Sequence, residues 1–257
     1  DEAETIAAAV AGHLSQDYPG PFRLVVIDDE SADGTGRLAR EAAEAGALPE
    51  RFSLLQTPPR EPGWVGKLWA LESGRRAAEA AGDAPAYWWL TDADIGHPPD
   101  TLRRLVAKAE GGKRALVSLM VRLWCASAWE RLLVPAFVFF FQKLYPFPRA
   151  NDDRDSMAAA AGGCVLVRRD TLAAAGGLAA IKGALIDDCS LAARVKPQAL
   201  REGRGIWVGL TDSSRSLRPY RGLGEIWRMV ARSAYTQLHH NPLLLLGTLL
   251  GTLLGTL

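Results

Sequence analysis

The period of apolar positions switches repeatedly through the first half of the chain. Short runs rich in β-branched and aromatic residues, FRLVVID (22–28), FSLLQ (52–56), AYWWLTD (86–92) and RALVSLMV (114–121), read as strands. Between them GRLAREAAEAG (36–46), GKLWALESGRRAAEAAG (66–82) and PPDTLRRLVAKAE (98–110) carry apolar residues at helical spacing. Glycine stops the first two, and proline stands in the first turn of the third. This alternation with short connections predicts an α/β fold, a mostly parallel sheet flanked by helices. Ligands on such sheets lie beyond the carboxyl ends of the strands. The chain opens with an amphipathic helix pattern, DEAETIAAAVAGHL, where such a sheet would open with a strand. The expectation is that the first strand lies upstream of Asp1 and is missing from this sequence.

The second half is less regular. WERLLVPAFVFFFQKLYPFPR (129–149) holds five of the seven phenylalanines, flanked by Arg131, Lys143 and Arg149. It reads either as a helix lying in a membrane interface or as a core helix under the sheet. RANDDRDSM (149–157) predicts a mobile polar loop. AAAAGGCVLVRRDTLAAAGGL (158–178) predicts a Gly-hinged strand and a short helix, and ALIDDCSLAARVK (184–196) a helix entered through two acids. GEIWRMVARSAYTQLHH (224–240) is a basic amphipathic helix pattern. It leads into a tail in which residues 243–257 carry no charge and Gly247, Gly251 and Gly255 recur at every fourth position. Glycine is costly in soluble helices, whereas small residues at this spacing let membrane helices approach closely. The pattern therefore predicts the start of a transmembrane helix at 241–257, cut short by the end of the sequence.

Composition adds limits. The 257 residues are 48% hydrophobic and 23% charged, as in a globular protein with a substantial core. A net charge of +1 gives no bulk electrostatic reason for a nucleic-acid partner. The cysteines, Cys125, Cys164 and Cys189, are widely spaced and read as reduced thiols of a cytosolic compartment.

The candidate chemistry is acidic. VVIDDESADGT and WWLTDADIG both end in carboxylates, which places Asp28, Asp29, Asp92 and Asp94 along one rim of the sheet. Asp92 and Asp94 are two apart, so both side chains point the same way and suit a hard cation such as Mg²⁺ or Mn²⁺. The alternative for Asp94 is a helix cap; capping explains one acid but not four on one rim. DDESADGT also reads as an Asx-type turn feeding a helix cap at Asp33 or Thr35. GWVGKLWAL brings Lys67 toward the same rim, suited to a phosphate or base edge, or simply solvated. It is not a phosphate loop: Glu61 stands where that motif needs glycine, and Leu68 where it needs Ser or Thr. Asp187 and Asp188 start a helix, either as caps or with one of them as a general base. Arg228 and Arg232 share a helical face, suited to a diphosphate or to anionic lipid.

Taken together, VVIDDESADGT, TDADIG and IDDCSLA resemble, in order, the nucleotide-binding strand end, the D-x-D metal motif and the later acidic motif of family 2 glycosyltransferases with the A-type nucleotide-sugar fold. GWVGKLWAL, AAAAGGCVLVRR, IDDCSLA and SLRPYRGLGEIWRMVARSAYTQL look closest to the bacterial hopanoid biosynthesis-associated members. The resemblance implies a glycosyltransferase domain over 1–240 and a transmembrane start over 241–257. It implies nucleoside contacts for Asp28 and Asp29, a nucleotide contact for Glu2, and a divalent metal held by Asp94 with Asp92. Lys67 and Arg232 would face the nucleotide sugar. Asp188, paired with Asp187, would deprotonate an acceptor hydroxyl in a direct displacement that inverts the anomeric centre. The implied partners are a nucleotide-sugar donor, a lipid or hopanoid-like acceptor and a membrane, with no nucleic acid. The implied location is the bacterial inner membrane, catalytic domain on the cytoplasmic side. Processive membrane members carry Q-x-x-R-W before the membrane; here that segment reads MVARS, with Arg232 kept, which favours a single transfer. Competing readings are a nucleotidyltransferase on a similar scaffold and a non-catalytic membrane-tethered nucleotide-binding module.

Overall fold

The computed structural model describes residues 1–46, 48–82, 84–237 and 243. They divide into two compact units, one of Asp1–Trp124 with Phe141–Arg218, the other of Cys125–Phe140 with the chain from Pro219 onward. The first unit runs α1 (Ile6–Leu14), β1 (Leu24–Asp28), α2 (Thr35–Glu44), β2 (Phe52–Gln56), α3 (Gly66–Ala80), β3 (Tyr87–Leu90), β4 (Ile95–Gly96), α4 (Thr101–Gly111) and β5 (Arg114–Arg122). Helix α5 (Ala128–Leu144) crosses the division. Then come α6 (Phe147–Ala150), β6 (Val165–Arg168), α7 (Arg169–Ala174), α8 (Asp187–Arg201) and β7 (Gly205–Ser216), with α9 (Leu223–Gln237) in the second unit.

Strands β1 and β2 pair in parallel. The larger sheet has the order β3-β6-β5-β7-β4. Its longest ladder, β5 with β7, is parallel. Strand β6 runs antiparallel to both β3 and β5, and β4 antiparallel to β7. Strands β3, β5 and β7 therefore share one direction, as the βα alternation predicts, and β6 is inserted against them. Three features of the sheet depart from the sequence reading, the first being the short strand β4 itself. The reversal of β6 has no signature in the βα rhythm, and β7 was not foreseen because its second half, TDSSRS, lacks apolar alternation.

The period of 2 sorts the core into two faces. Leu116, Val165, Val167 and Ile206 pack with Leu68, Trp69, Leu191 and Val195 of α3 and α8. Val117, Val121, Cys164 and Leu166 pack with Leu102, Leu105 and Ala109 of α4. Helices α1 and α2 cover Leu24 and Val26 through Ile6, Val10, Leu14, Ala39 and Ala43. On the opposite side of β1, a Cβ at Gly74 would lie 2.7 Å from Ile27 Cδ1, so glycine is what lets α3 approach this strand.

The stretch 149–157, expected as a mobile loop, is fastened. Lys196 of α8 is 2% exposed, and its Nζ donates to the carbonyls of Ala150, Asp152 and Met157 at 2.9, 2.9 and 2.6 Å. An ammonium has three protons, and here each finds a backbone acceptor.

In the second unit, Ser127 and Glu130 form a capping box at the start of α5. The Glu130 carboxylate accepts from the backbone N–H groups of Ser127 and Ala126, and also from that of Tyr220. Burial works against the Glu130 charge, but these N–H donors outweigh it and lower its pKa. Helix α5 buries only Glu130 and Val134. Trp129, Leu132, Phe139, Phe140 and Leu144 are each about half exposed or more, which excludes the core-helix reading. No helix among the described residues is long and apolar enough to cross a membrane. The expected transmembrane start, 241–257, lies outside the described residues apart from Leu243.

Candidate active site

Helix α3 starts at Gly66 and α8 at Asp187, and both N-termini open onto the carboxyl end of β3. Lys67 Nζ lies 2.7 Å from Asp92 Oδ1 and 3.2 Å from Asp187 Oδ2, so one ammonium joins the two acidic motifs. Burial opposes the charge on Lys67, but Asp92 and Asp187 outweigh it and raise its pKa. Lys67, Asp92, Gly162, Asp187 and Asp188 line one cleft, floored by Leu90, Leu178 and Leu191. Lys67 is therefore paired within the cleft while its side chain stays 45% exposed.

Asp188 is held by backbone. Its Oδ2 accepts from Gly162 N–H at 2.8 Å and its Oδ1 from Cys189 N–H at 2.7 Å. Burial first, then the neighbouring charge of Asp187, pushes its pKa up to about 6. A carboxyl tuned into that range is suited to take a proton near neutral pH. The loop that presents Gly162 N–H is itself pinned. Fully buried Ser118 of β5 accepts from Ala161 N–H at 2.8 Å, and its hydroxyl lies 3.2 Å from the Ala161 carbonyl and 3.1 Å from that of Cys164. Gly162 lies close against the site: a Cβ there would lie 3.2 Å from Lys67 Nζ and would press on the end of that side chain.

Asp94 does not cap α4, whose N-cap is Asp100 and whose Leu102 N–H is bonded to Gln16 Oε1 at 2.8 Å. Instead its Oδ2 accepts from Ser216 Oγ at 3.3 Å, while its carbonyl accepts from Leu217 N–H at 2.7 Å. Burial, then the charges of Asp92 and Glu2, raises the Asp94 pKa. Repulsion among carboxylates at a strand end, here met by Lys67 only at Asp92, is what a hard divalent cation offsets, and oxygen donors are what Mg²⁺ or Mn²⁺ takes. Among the described residues no group of three or more His, Cys, Asp or Glu could hold a metal. Asp92 and Asp94 offer carboxylate oxygens, the donor type Mg²⁺ takes when one or two carboxylates hold it and phosphate oxygens complete its shell.

The other predicted residues fall along the same edge. Glu2 accepts from Arg218 Nη1 at 3.0 Å, and its backbone N–H donates to Thr35 Oγ1 at 2.7 Å. Asp28 is buried and engaged by the turn, accepting from Ser31 N–H at 3.1 Å and from Gln56 Nε2 at 3.0 Å. Burial opposes its charge, yet these bonds lower its pKa. Asp29 accepts from the Thr57 hydroxyl at 2.7 Å, and its Oδ2 faces Gly66. Asp33 makes the expected Asx-type turn, accepting from Thr35 N–H at 3.0 Å, but the residue that caps α2 is Gly34, not Asp33 or Thr35. Arg232 lies on α9, and its side chain is outside the described part of the structure. Sequence reasoning missed Gly162, Ser118, Ser216 and Arg218. Only the Gly162–Gly163 pair left a signal, and it read as a hinge.

The fold is an α/β sheet with an acidic cleft at the carboxyl ends of its strands. The family model for glycosyl transferase family 2 matches residues 1–175, and the chain belongs to that family. It is a glycosyltransferase. No curated protein matches it. Among solved structures, a mycobacterial protein is 18% identical with a TM-score of 0.55, covering 93% of this chain and 71% of its own. The S. aureus protein TarS is 16% identical with a TM-score of 0.54 over 91% of this chain, which spans only 38% of TarS. Glucosyl-3-phosphoglycerate synthase from Mycobacterium tuberculosis, in complex with Mg²⁺ and UDP, is 18% identical with a TM-score of 0.54, covering 93% of this chain and 75% of its own. At these identities the likeness is one of fold.

Proposed function

We propose that the chain is a metal-dependent, inverting glycosyltransferase that moves a sugar from a nucleoside-diphosphate donor to a hydroxyl of a lipid-like acceptor. The observation that carries this reading is Lys67 joining Asp92 to Asp187 beside a carboxyl, Asp188, raised to about 6. The proteins of similar fold support the donor class: TarS 1–349 is in complex with UDP-GlcNAc, and the M. tuberculosis synthase with UDP and Mg²⁺ or Mn²⁺.

The residues divide the work. Asp92 and Asp94 would hold a divalent cation, which when bound neutralises charge on the diphosphate. Lys67 adds a positive charge where the leaving oxygen becomes anionic. Asp188 takes the proton from the acceptor hydroxyl. That oxygen attacks the anomeric carbon as its bond to the diphosphate breaks, and attack from the face opposite the leaving group inverts the centre. Asp28, Asp29 and Glu2 line the nucleoside side.

A membrane location belongs to the same proposal. The exposed apolar and aromatic residues of α5, with Trp227 of α9 at 68% exposure, support a lipid surface as partner, as does the uncharged tail from 243. The three free thiols accord with the cytoplasmic side of a bacterial inner membrane. A hopanoid-like acceptor follows from the subfamily resemblance. The test is a screen of UDP-sugars with Mn²⁺ and bacterial lipid extracts, using membranes that carry the protein and mass spectrometry of lipids and nucleotides. A glycolipid with release of nucleoside diphosphate is the expected result. Pyrophosphate release would replace the reading with nucleotidyl transfer, and no turnover of any donor would replace it with a binding module.

A further inference from the structure

Behind the Asp92–Asp94 turn lies a buried aromatic cluster. The ring centroids of Trp89 and His97 are 4.9 Å apart, and His13 is 5.1 Å from each. His97 is 5% exposed, and both of its nitrogens are engaged: Nδ1 lies 2.9 Å from Ser214 Oγ and Nε2 3.2 Å from Thr91 Oγ. Thr91 Oγ also lies 2.9 Å from the Gly163 carbonyl.

The proton positions follow from valence. A carbonyl only accepts, so the Thr91 hydroxyl donates to Gly163 at 2.9 Å, the nearer of two carbonyls in reach, that of Asp92 lying at 3.3 Å. Its lone pairs then receive His97 Nε2–H. In a neutral ring Nδ1 is left as an acceptor, and Ser214 donates to it. Burial, reinforced by His13, depresses the His97 pKa to about 3, so the ring stays neutral. The chain Ser214 to His97 to Thr91 to Gly163 is complete, with one donor for each acceptor.

Each segment in this chain carries a part of the cleft. Thr91 adjoins Asp92. Gly163 follows Gly162, whose N–H holds Asp188. Ser214 stands on β7 beside Ser216, whose hydroxyl donates to Asp94. The geometry points to His97 as a positioning residue: anchored to Ser214 through Nδ1, it holds the Thr91 hydroxyl on the Gly163 carbonyl through Nε2, and so sets the spacing between the Asp92–Asp94 turn and the Gly162–Asp188 pair. The inference rests on the glycosyl-transfer reading of that cleft, because the spacing it fixes is the one between leaving group and base.

The test separates hydrogen bonding from packing. His97→Phe fills the space and removes both bonds. His97→Gln restores an N–H toward Thr91, and Thr91→Val breaks the link to Gly163. The readouts are kcat and KM for the best UDP-sugar, calorimetric affinity for UDP with Mn²⁺, melting temperature, and amide exchange at Gly162. His97→Phe should lower kcat roughly 10- to 100-fold, the cost of displacing reacting groups by a fraction of an ångström to one ångström. Affinity for UDP with Mn²⁺ should stay within about threefold, since each half of the site is intact, and exchange at Gly162 should rise about tenfold. His97→Gln should recover most of the kcat, and adding Thr91→Val to His97→Phe should cost nothing more.

Equal losses in the Phe and Gln variants would make His97 a packing residue and overturn the inference. So would losses at Thr91 and His97 that multiply. Unchanged Gly162 exchange in folded His97→Phe overturns it whatever the donor. Absence of wild-type turnover counts against the functional reading instead, and the exchange measurement still decides the inference.

Discussion

Replacing Asp188 with asparagine should destroy activity while leaving the protein no less stable at pH 8. The native carboxyl has its pKa raised from 3.8 to about 6, first by burial and then by Asp187. That shift of about two units corresponds to roughly 3 kcal/mol by which the folded state disfavours the ionised form. The sign follows from linkage. A carboxyl whose folded pKa is raised contributes stability below its unfolded value near 4, and that contribution is lost as pH rises through about 6. Asparagine removes the charge, so at pH 8 it recovers roughly 3 kcal/mol. Against this, its amide can accept only one of the two N–H bonds, from Gly162 and from Cys189, that the carboxylate accepts now. Leaving one donor unpaired costs about 1–3 kcal/mol. The net effect at pH 8 lies between neutral and a gain of roughly 2 kcal/mol, and at pH 4 the advantage disappears. Catalysis moves the other way, because loss of a general base lowers the rate about 10²- to 10⁴-fold. The assay is nucleoside diphosphate release with the donor found by screening, from pH 5 to 8, beside thermal melts at pH 4 and pH 8. Wild-type activity should rise with pH through about 6, the limb set by Asp188. Wild-type rates in folded Asp188→Asn, or a flat pH profile, would remove Asp188 from the role of base.

Other substitutions probe the parts around it. Lys67→Met should raise donor KM about tenfold, with stability changed by no more than roughly 1 kcal/mol, since both ion pairs are partly exposed. Because the Lys67 charge lowers the Asp188 pKa, the same variant should move the acidic limb of the pH profile upward, read by repeating that profile. Asp94→Ala should abolish sugar transfer in a folded protein and remove Mn²⁺-dependent binding of UDP, measured by calorimetry. Lys196→Met strands three backbone carbonyls and should cost about 3 kcal/mol or more, with tryptic cleavage at Arg154 appearing in limited proteolysis.

The parts of the site visible in the sequence are those whose chemistry is carried by side chains at element ends. Asp92, Asp94, Lys67, Asp187 and Asp188 stand where a strand stops or a helix starts, and periodicity locates such ends. What stayed hidden acts through backbone or through hydroxyls. Gly162 contributes an N–H, which every residue but proline has. Ser214 and Ser216 are buried by hydrogen bonds in place of apolar packing, so β7 offered no alternation to read. Arg218 meets Glu2 across almost the whole sequence, a contact no local pattern encodes. The aromatic run of α5 was ambiguous because an interface helix and a core helix have the same composition. They differ only in whether the apolar side is covered.

The reversal of β6 has a consequence for how this enzyme can change. Its neighbours β3 and β5 run the other way, so β6 starts at the edge where they finish. The cleft thereby gains a loop that offers an amide proton on an edge otherwise furnished with acids. Gly162 and Gly163 form its turn just before β6, and the strand after it alternates between the two cores, Val165 and Val167 on one face and Leu166 on the other. Moving Gly162 by sliding β6 one residue along its neighbours would turn the strand's faces over. The hold on Asp188 and the burial of the sheet are therefore one constraint.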